Sequence, residues 1–360
     1  MEKRIEELDK NFKAQELKGG FLYRDVYACE NVVVGGLWPG TYCRIDPAYL
    51  PKIPSEGVRS LAENTAGGTV RFRVRGRRFA VRMRITLAWD MSHMPRSGSN
   101  GLDIYVGKGK ERYFYTGFRA NSAADRLVEG EVILPEGEEE VLIHLPLYNG
   151  VERLELGFPE GVSPEAPASY AYEKPIFYYG SSITQGGCAS RPGNCYSAMI
   201  SRMLDCGQWN LGFSGNGKGE QEVARWIAEQ PMTAFVYDYD HNADSLEYLR
   251  ATHRPFLETI WKGQPELPVL MVSKPDYFNR SGDWHLPPEE NGLRRDTVME
   301  TYLWAKKEGY RVAFVDGHTL FDGPMARDCT VDGCHPNDLG FYRMAMKIAP
   351  VLERLLKEKR

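Results

Sequence analysis

Hydrophobic and polar positions divide the chain into two stretches with different periods. Between about residues 23 and 158, short apolar runs such as TVRFRVRG and GLDIYVG are separated by turns of Gly, Pro, Asn and charged residues. Apolar and polar residues alternate in Val70–Val74 and in Val81–Leu87, with Arg on one face. A period of two is typical of antiparallel strands. This stretch is therefore predicted to form a β-sandwich or jelly roll.

Later in the chain the pattern changes to an alternation of strands and helices. Residues 159–175 contain four prolines and little periodic apolar content, as in a linker. Five apolar runs, from PIFYYG to RVAFVD, then alternate with five longer helix-like segments. Such an alternation predicts an α/β domain whose parallel sheet is covered on both faces. We therefore predict a β-domain over 1–160, a linker over 161–174 and an α/β domain over 175–360.

Residues with catalytic chemistry follow several of the predicted strands of the α/β domain. In open α/β sheets, functional groups gather in the loops at the carboxyl ends of the strands. Ser182 lies between glycines after the first strand, Gly215 lies in a glycine-rich turn after the second, and Asn242 follows the third. Before the last helix, Asp332 precedes His335 by three residues, a spacing that lets the carboxylate orient the imidazole.

These segments resemble those of a known enzyme family. Taken together, GSSITQGG, NLGFSGNG and DGCHPND are similar to the sequence blocks of the SGNH (GDSL-like) hydrolases, over about residues 175–360. One departure is Ser181, which stands in place of the aspartate in the Gly-Asp-Ser form of the first block. Upstream, the segment GLDIY at residues 101–105 resembles the GxDLY signature of a β-domain that precedes some of these hydrolases.

The resemblance implies a flavodoxin-like α/β/α fold and a serine esterase. Ser182 would be the nucleophile, His335 the general base and Asp332 the group that orients the imidazole. The oxyanion would be held by the backbone N–H groups of Ser182 and Gly215 and by the Asn242 amide. No cofactor and no metal are expected.

The substrate is expected to be a small acyl ester, namely an acetyl group on a sugar or short oligosaccharide, because relatives of this architecture resemble carbohydrate O-deacetylases. Tyr277, Phe278 and Trp284 lie in an insertion after the fourth strand, and aromatic faces suit sugar rings. In the β-domain, the long loop 90–103 is predicted to pack over the pocket, with His93, Arg96 or Asp103 helping to shape the acyl or sugar site. Alternatively, the β-domain is an independent binding module on a tether.

Other functions remain open at this point. One is a broad small-ester or lysophospholipid-type acylhydrolase, and another is a non-catalytic carbohydrate-binding protein. A third is a metallohydrolase, whose candidate ligands would be Asp276, His285, His318 and His335. Cys188 and Cys195 flank the serine turn, but no histidine stands at motif spacing, so both are interpreted as packing residues.

Composition and charge limit the kinds of binding partner and the cellular compartment that the sequence favours. The 360 residues carry 45 basic and 49 acidic side chains, a net charge of −4, without blocks of one sign. This balance does not favour nucleic acid or an anionic membrane as a partner. The N-terminus is charged and no stretch is long and apolar enough to cross a bilayer, which predicts a cytoplasmic protein. The seven cysteines have no CxxC spacing, so neither a zinc site nor a disulfide framework is expected. A homo-oligomer is possible.

Overall fold

The computed structural model describes residues 19–275 and 288–358. Its first part contains nine strands, which are β1 (Leu22–Asp25), β2 (Val33–Gly35), β3 (Thr69–Arg73), β4 (Arg78–Ile85), β5 (Leu102–Val106), β6 (Tyr113–Phe118), β7 (Leu127–Ile133), β8 (Glu140–His144) and β9 (Val151–Phe158). They form a four-stranded sheet in the order β1-β9-β4-β7 and a five-stranded sheet in the order β2-β3-β8-β5-β6. All neighbouring strands are antiparallel.

A single apolar core fills the space between these two sheets. Alternate residues of facing strands are fully buried in it, which is the packing that the period of two predicts. Phe72 of β3 makes edge-to-face contacts with Phe79 and Phe158, at ring-centroid distances of 5.1 and 5.8 Å. The predicted antiparallel β-domain is thus confirmed. Two short helices, α1 (Glu56–Ala62) and α2 (Arg96–Ser99), lie in its connections.

The proline-rich segment packs against the outer face of the five-stranded sheet. The Arg71 guanidinium lies 3.5 Å above the centre of the Tyr170 ring and donates to the Ala168 carbonyl. Arg73 pairs with Glu165, and the backbones of these two residues exchange hydrogen bonds. Arg71 is only 6% exposed as a result, although the strand pattern places it on the outer, polar face. Residues 165–170 of this segment are therefore bound to the β-domain sheet, unlike those of a flexible linker.

The second part of the chain is an α/β domain. Its strands are β10 (Tyr172–Gly180), β11 (Cys206–Gly212), β12 (Ala234–Asp238), β13 (Val269–Val272) and β14 (Val312–Val315). Its helices are α3 (Ser182–Gln185), α4 (Tyr196–Leu204), α5 (Gln221–Ala228), α6 (Leu246–Gly263), α7 (Pro288–Lys307) and α8 (Asp338–Lys357). The five strands are parallel, in the order β11-β10-β12-β13-β14.

Both faces of the parallel sheet are buried by helices. Ile176 and Tyr178 of β10 pack in one core with α4 and α8, whereas Phe177 and Tyr179 pack in a second core with α5 and α6. The strand order reverses at β10, because β11 lies on one side of it and β12 on the other. Ligands of such sheets bind at the carboxyl ends of the strands beside this reversal. The fold therefore directs attention to the end of β10.

The β-domain contacts the α/β domain through buried polar groups. Arg44 is fully buried and donates to the carbonyls of Asn210 and Gly212, at 2.9 and 2.7 Å, at the end of β11. Its second terminal nitrogen donates to the carbonyl of Leu61 in α1 at 2.5 Å. Burial lowers the pKa of the Arg44 guanidinium to about 9.

In the described parts of the chain, no helix combines the length and apolar character that crossing a bilayer requires.

Candidate active site

Ser182 is the first residue of α3, directly beyond the end of β10. The side chain of Ser181 accepts a hydrogen bond from the Ile183 N–H at 3.2 Å and so caps the helix, while Ser182 itself is 8% exposed. Gly180 allows this sharp turn, because a Cβ there would lie 2.2 Å from Thr184 Oγ1 and 2.3 Å from the Asp238 carbonyl oxygen. The serine that faces the strand edge is therefore Ser182, and Ser181 has a structural role.

His335 lies opposite Ser182, in the loop between β14 and α8. Its Nε2 is 2.9 Å from Ser182 Oγ, and its Nδ1 is 2.7 Å from Asp332 Oδ2. Asp332 Oδ1 also accepts the backbone N–H groups of Cys334 and His335, at 2.9 and 2.7 Å. A carboxylate on Nδ1 fixes the proton there and leaves Nε2 as an acceptor for the hydroxyl hydrogen. The arrangement can carry a proton from the serine to the imidazole.

The charge on Asp332 is stabilised by these same contacts. Partial burial acts to raise the pKa of its carboxyl, but the hydrogen bonds from the backbone and ring of His335, together with the His335 charge, outweigh it. The pKa of Asp332 is therefore lowered from its ordinary value. An ionised carboxylate at this position favours the imidazolium that forms when His335 accepts a proton.

The turn after β11 brings Gly215 close to the end of β10. The Phe213 N–H donates to the Gly180 carbonyl at 2.9 Å, and Gly217 fits against the same carbonyl, which a Cβ would approach to 2.2 Å. Gly215 has φ of +67°, and no atom lies within 4 Å of the position that a Cβ would occupy. Its backbone is thus open on one side, as an oxyanion donor requires.

Asn242 is attached to the same turn. Its Nδ2 donates to the Phe213 carbonyl at 3.0 Å, which uses one of the two amide hydrogens. The turn is also held from α3, because Gln185 Oε1 accepts the Ser214 N–H at 3.0 Å. Hydrogen bonds therefore join Asn242 and the Gly215 turn to the helix that starts with Ser182.

Family models match both parts of the chain. Residues 173–353 match the model of the GDSL-like lipase/acylhydrolase family, and residues 21–163 match that of the N-terminus of SGNH-hydrolase-type esterases. The chain belongs to the GDSL-like lipase/acylhydrolase family. The predicted family resemblance is confirmed for both parts, and the chain is an ester-hydrolysing enzyme. No curated protein matches the chain.

Solved structures of similar proteins share the two-part architecture of this GDSL-like enzyme. A protein from Bacteroides ovatus described as a GDSL-like lipase is 27% identical, with a TM-score of 0.82 over 94% of this chain and 99% of that chain. The salicylyl-acyltransferase SsfX3 from a tetracycline biosynthetic pathway is 18% identical, with a TM-score of 0.75 over 93% and 98%. A family two carbohydrate esterase from Cellvibrio japonicus is 14% identical, with a TM-score of 0.60 over 93% and 98%.

Tyr148 of the β-domain reaches the nucleophile turn of this GDSL-like fold. Its hydroxyl donates to the Ser182 carbonyl at 3.2 Å, and burial raises the pKa of the phenol above its usual range. The site of Gly187 is enclosed by Tyr148 and His335, since a Cβ there would lie 2.8 Å from the phenol oxygen and 3.3 Å from His335 Cδ2. Tyr148 was not predicted from the sequence, because its only local signal is an aromatic residue in the turn after β8.

His93 is the second β-domain residue at the active site. Its ring centroid lies 5.7 Å from that of His335, and its side chain is exposed. The structure thus places one residue of the loop 90–103 beside the candidate triad. A role for this loop in shaping the substrate pocket stays a prediction. Cys188 lies close to both His93 and His335. The pKa of its thiol is raised to about 12 by burial and by the nearby Asp332 and Cys334. A thiol that stays protonated is a poor nucleophile.

Asp103 joins the two domains at a different place. It is 1% exposed, and its Oδ2 accepts hydrogen bonds from the Arg191 guanidinium at 3.1 Å and from the Gly193 N–H at 2.9 Å. Burial raises the pKa of its carboxyl to about 6, against the opposing effect of Arg191. These contacts anchor the loop that follows the nucleophile turn. A direct contact of Asp103 with substrate stays a prediction.

Two buried carboxylates lie beneath the site and were not singled out as functional from the sequence. Asp238 Oδ2 accepts the hydroxyls of Thr184 and Tyr196, each at 3.0 Å, and Asp240 accepts the Lys274 N–H at 2.8 Å. Burial, reinforced by the mutual repulsion of the two carboxylates, raises the pKa of Asp238 to about 7. In the sequence, the D-x-D-x-N spacing of Asp238, Asp240 and Asn242 indicates that these polar residues lie together. It does not indicate that the two carboxylates are buried in the core.

Several predicted residues lie outside the described part of the chain. These are the three aromatic substrate candidates and two candidate metal ligands, namely Tyr277, Phe278, Trp284, Asp276 and His285. His318, the third ligand of the alternative metal site, is described and lies exposed in the turn after β14. The predicted contacts of the aromatic residues with a sugar therefore stay predictions.

Proposed function

We propose that this protein is a serine esterase that removes acetyl groups from a sugar or short oligosaccharide. The observation that carries the proposal is the continuous set of hydrogen bonds from Ser182 Oγ through His335 to Asp332 at the strand-order reversal. Family two carbohydrate esterases, including one from Clostridium thermocellum in complex with cellohexaose, have the same fold at 14–16% identity and support a carbohydrate ester as substrate.

The reaction proceeds in two steps through an acyl-enzyme. Ser182 Oγ attacks the ester carbonyl carbon while His335 Nε2 takes the hydroxyl proton, and the tetrahedral intermediate collapses as the imidazolium protonates the leaving sugar oxygen. Water then attacks the acetyl-serine and gives a proton to His335 Nε2. The imidazolium returns this proton to Ser182 Oγ as the acyl C–O bond breaks, which releases acetic acid and the free serine. Asp332 stays ionised throughout, holding the imidazole and stabilising its cationic form.

The developing oxyanion is stabilised by donors on three segments. They are the backbone N–H groups of Ser182 and Gly215 and the Asn242 amide, whose second hydrogen is available once the first is bound to Phe213. Each preorganised donor of this kind contributes about 3–4 kcal/mol to the stability of the transition state. The hydrogen bond from Asn242 Nδ2 to the Phe213 carbonyl keeps the Asn242 and Gly215 segments together before substrate arrives.

The surroundings of the serine favour a small acyl group. Ser182 is 8% exposed, and Tyr148, Gly187 and His335 crowd its immediate vicinity. A long acyl chain would need an extended apolar groove beside the nucleophile. The alcohol part of the substrate would extend outward past the exposed side chain of His93.

Acetate release from a panel of acetylated mono- and oligosaccharides tests this proposal. Aryl acetate, aryl octanoate and a lysophospholipid serve as competing substrates. We expect kcat/KM for the best sugar acetate to exceed that for aryl acetate, and activity to fall steeply with acyl length. Faster hydrolysis of octanoate or lysophospholipid would contradict the proposal and support the broader acylhydrolase alternative.

His93→Ala provides a more local test of the sugar site. Loss of this exposed ring should raise KM for the sugar acetate and leave the KM for a small aryl acetate nearly unchanged. His318→Ala, which removes an exposed histidine on another turn, is the matched control. Equal effects of His93→Ala on both substrates would contradict a role for His93 in binding the sugar.

A further inference from the structure

Three side chains beside the nucleophile have the chemistry of metal ligands. One potential ligand atom of each of His93, Cys188 and His335 lies within 4.8 Å of those of the other two. They come from the β-domain loop, the turn after α3 and the loop before α8, so the cluster is assembled only by the fold. The esterase reaction uses His335 and has no need for Cys188.

We propose that His93, Cys188 and His335 form an inhibitory site for a zinc-like divalent cation. The inhibition, though not the binding, rests on the proposed esterase function of His335. The cation is regulatory rather than catalytic, because it occupies the nitrogen that the reaction needs.

The set of donors suits Zn²⁺. Thiolate sulfur and imidazole nitrogen are both common zinc ligands, and with three protein ligands a fourth position remains for water or for the nearby Ser182 hydroxyl. Zinc bonds of about 2.0–2.3 Å in tetrahedral geometry place ligand atoms roughly 3.3–3.8 Å apart. The cluster therefore needs to close by about 1 Å, and the exposed side chain of His93 can supply this movement.

The triad already provides the outer support that a zinc ligand requires. Metal-binding histidines usually donate the second ring N–H to a carboxylate, which orients the ring and increases its basicity. His335 Nδ1 makes this contact with Asp332 Oδ2 at 2.7 Å. The contact that prepares Nε2 to accept a proton from Ser182 therefore also prepares it to bind a cation.

Cation binding and catalysis exclude each other. Zn²⁺ takes the lone pair of His335 Nε2, so the hydrogen bond from Ser182 Oγ is lost and the serine cannot be deprotonated. At Cys188, Zn²⁺ replaces the proton of the thiol, which passes to the solvent. Removal of the cation by a chelator restores both groups. The expected behaviour is reversible inhibition that is relieved by EDTA.

Inhibition of aryl acetate hydrolysis by added Zn²⁺, in the presence of a non-chelating reductant, is the first test. We expect full recovery with EDTA in the wild type. Cys188→Ser should weaken inhibition by at least the roughly 10–100-fold that loss of a ligand's hydrogen-bonding partner causes, and His93→Gln should do the same. Cys188 has φ of +72°, and serine shares its backbone strain, so the replacement is well matched.

Cys334→Ser is the control variant. Cys334 lies next to His335 in the chain but is not one of the three clustered ligands. Its backbone N–H, which the variant retains, makes its contact with Asp332. Wild-type inhibition in Cys334→Ser together with weakened inhibition in Cys188→Ser supports the site. Unchanged inhibition in Cys188→Ser overturns it.

Co²⁺ spectroscopy tests binding independently of catalysis. Co²⁺ bound to a thiolate gives a near-ultraviolet charge-transfer band, which we expect in the wild type and in inactive Ser182→Ala but not in Cys188→Ser. A band in the wild type, combined with no hydrolysis of any ester by the wild type, would support the cation site while contradicting the proposed function. Absence of the band in the wild type, with no Zn²⁺ inhibition of an active enzyme, would overturn the cation site alone.

Discussion

The Tyr148 hydroxyl of the β-domain donates a hydrogen bond to the backbone carbonyl of Ser182 at 3.2 Å. This contact joins the first domain to the peptide that carries the proposed nucleophile. Because the phenol is buried, the hydrogen bond is shielded from competing water. The β-domain thus helps to hold Ser182, the proposed nucleophile, in addition to placing His93 beside the candidate site.

Tyr148→Phe removes this donor and keeps the ring. A single neutral hydrogen bond contributes about 0.5–1.5 kcal/mol, so we expect kcat/KM to fall about 2- to 10-fold. Tyr115→Phe is the control, because the Tyr115 hydroxyl also donates to a backbone carbonyl, that of Ile133, within the β-domain. Steady-state kinetics on an aryl acetate would compare the two. A loss in Tyr115→Phe as large as in Tyr148→Phe would contradict the positioning role.

Asn242→Ala tests the side-chain oxyanion donor. Loss of one such donor should lower kcat by about 10²–10³-fold with little change in KM, because the charge it stabilises develops only in the transition state. Asn216→Ala is the control, since the Asn216 amide donates to the Ser214 carbonyl in the same turn. If Asn242→Ala changed only KM, the amide would be a substrate contact and not an oxyanion donor.

Asp332→Asn tests the orientation of the imidazole. Asparagine can offer an N–H to His335 Nδ1, which would place the ring proton on Nε2 and leave no acceptor for the serine hydroxyl. We expect kcat to fall by about 10⁴-fold, as such a tautomer change does in serine proteases. Near wild-type turnover in Asp332→Asn, with the variant folded by circular dichroism, would show that another group orients His335.

The buried Asp238 predicts how stability depends on pH. Its folded-state pKa of about 7 lies above the ordinary value of 3.8, so the folded state holds the proton more tightly than the unfolded state. The associated stability is present below about pH 4 and is lost as pH rises toward and through 7. Asp238→Asn, which keeps an acceptor for Thr184 and Tyr196, should flatten this loss.

Thermal unfolding between pH 4 and 8 measures the effect. Asp244→Asn, at an exposed carboxylate paired with Lys218, controls for the loss of one negative charge. We expect the melting temperature of Asp238→Asn to exceed that of the wild type most at pH 8. An equal difference at every pH would contradict the assignment of the titration to Asp238.

Local patterns in the sequence were sufficient to predict the strands and helices and to name the residues of the candidate triad. The period of two identified the β-domain strands, and the alternation of strands and helices identified the parallel sheet, because burial of one or both faces leaves a regular apolar pattern. Ser182, Asp332 and His335 follow strands or precede a helix, so their meeting at one sheet edge follows from parallel topology.

The contacts between domains could not be predicted in the same way. Arg44, Tyr148 and Asp103 act on segments 34–168 residues away in the chain, and no local period encodes a partner at such a distance. The proline-rich segment was predicted as a linker from its composition. Its packing through Tyr170 depends on Arg71, which the strand pattern alone places on a solvent-facing surface.

Labelling with a serine-directed organophosphonate, followed by peptide mass spectrometry, tests the central claim most directly. We predict one adduct per chain, on Ser182, with loss of activity. Ser181→Ala should still be labelled, whereas Ser182→Ala should remain unlabelled and retain only the roughly 10³–10⁴-fold acceleration over water that binding and the oxyanion donors supply. An adduct on another residue, or near wild-type turnover of aryl acetate by Ser182→Ala, would contradict the assignment of Ser182 as nucleophile.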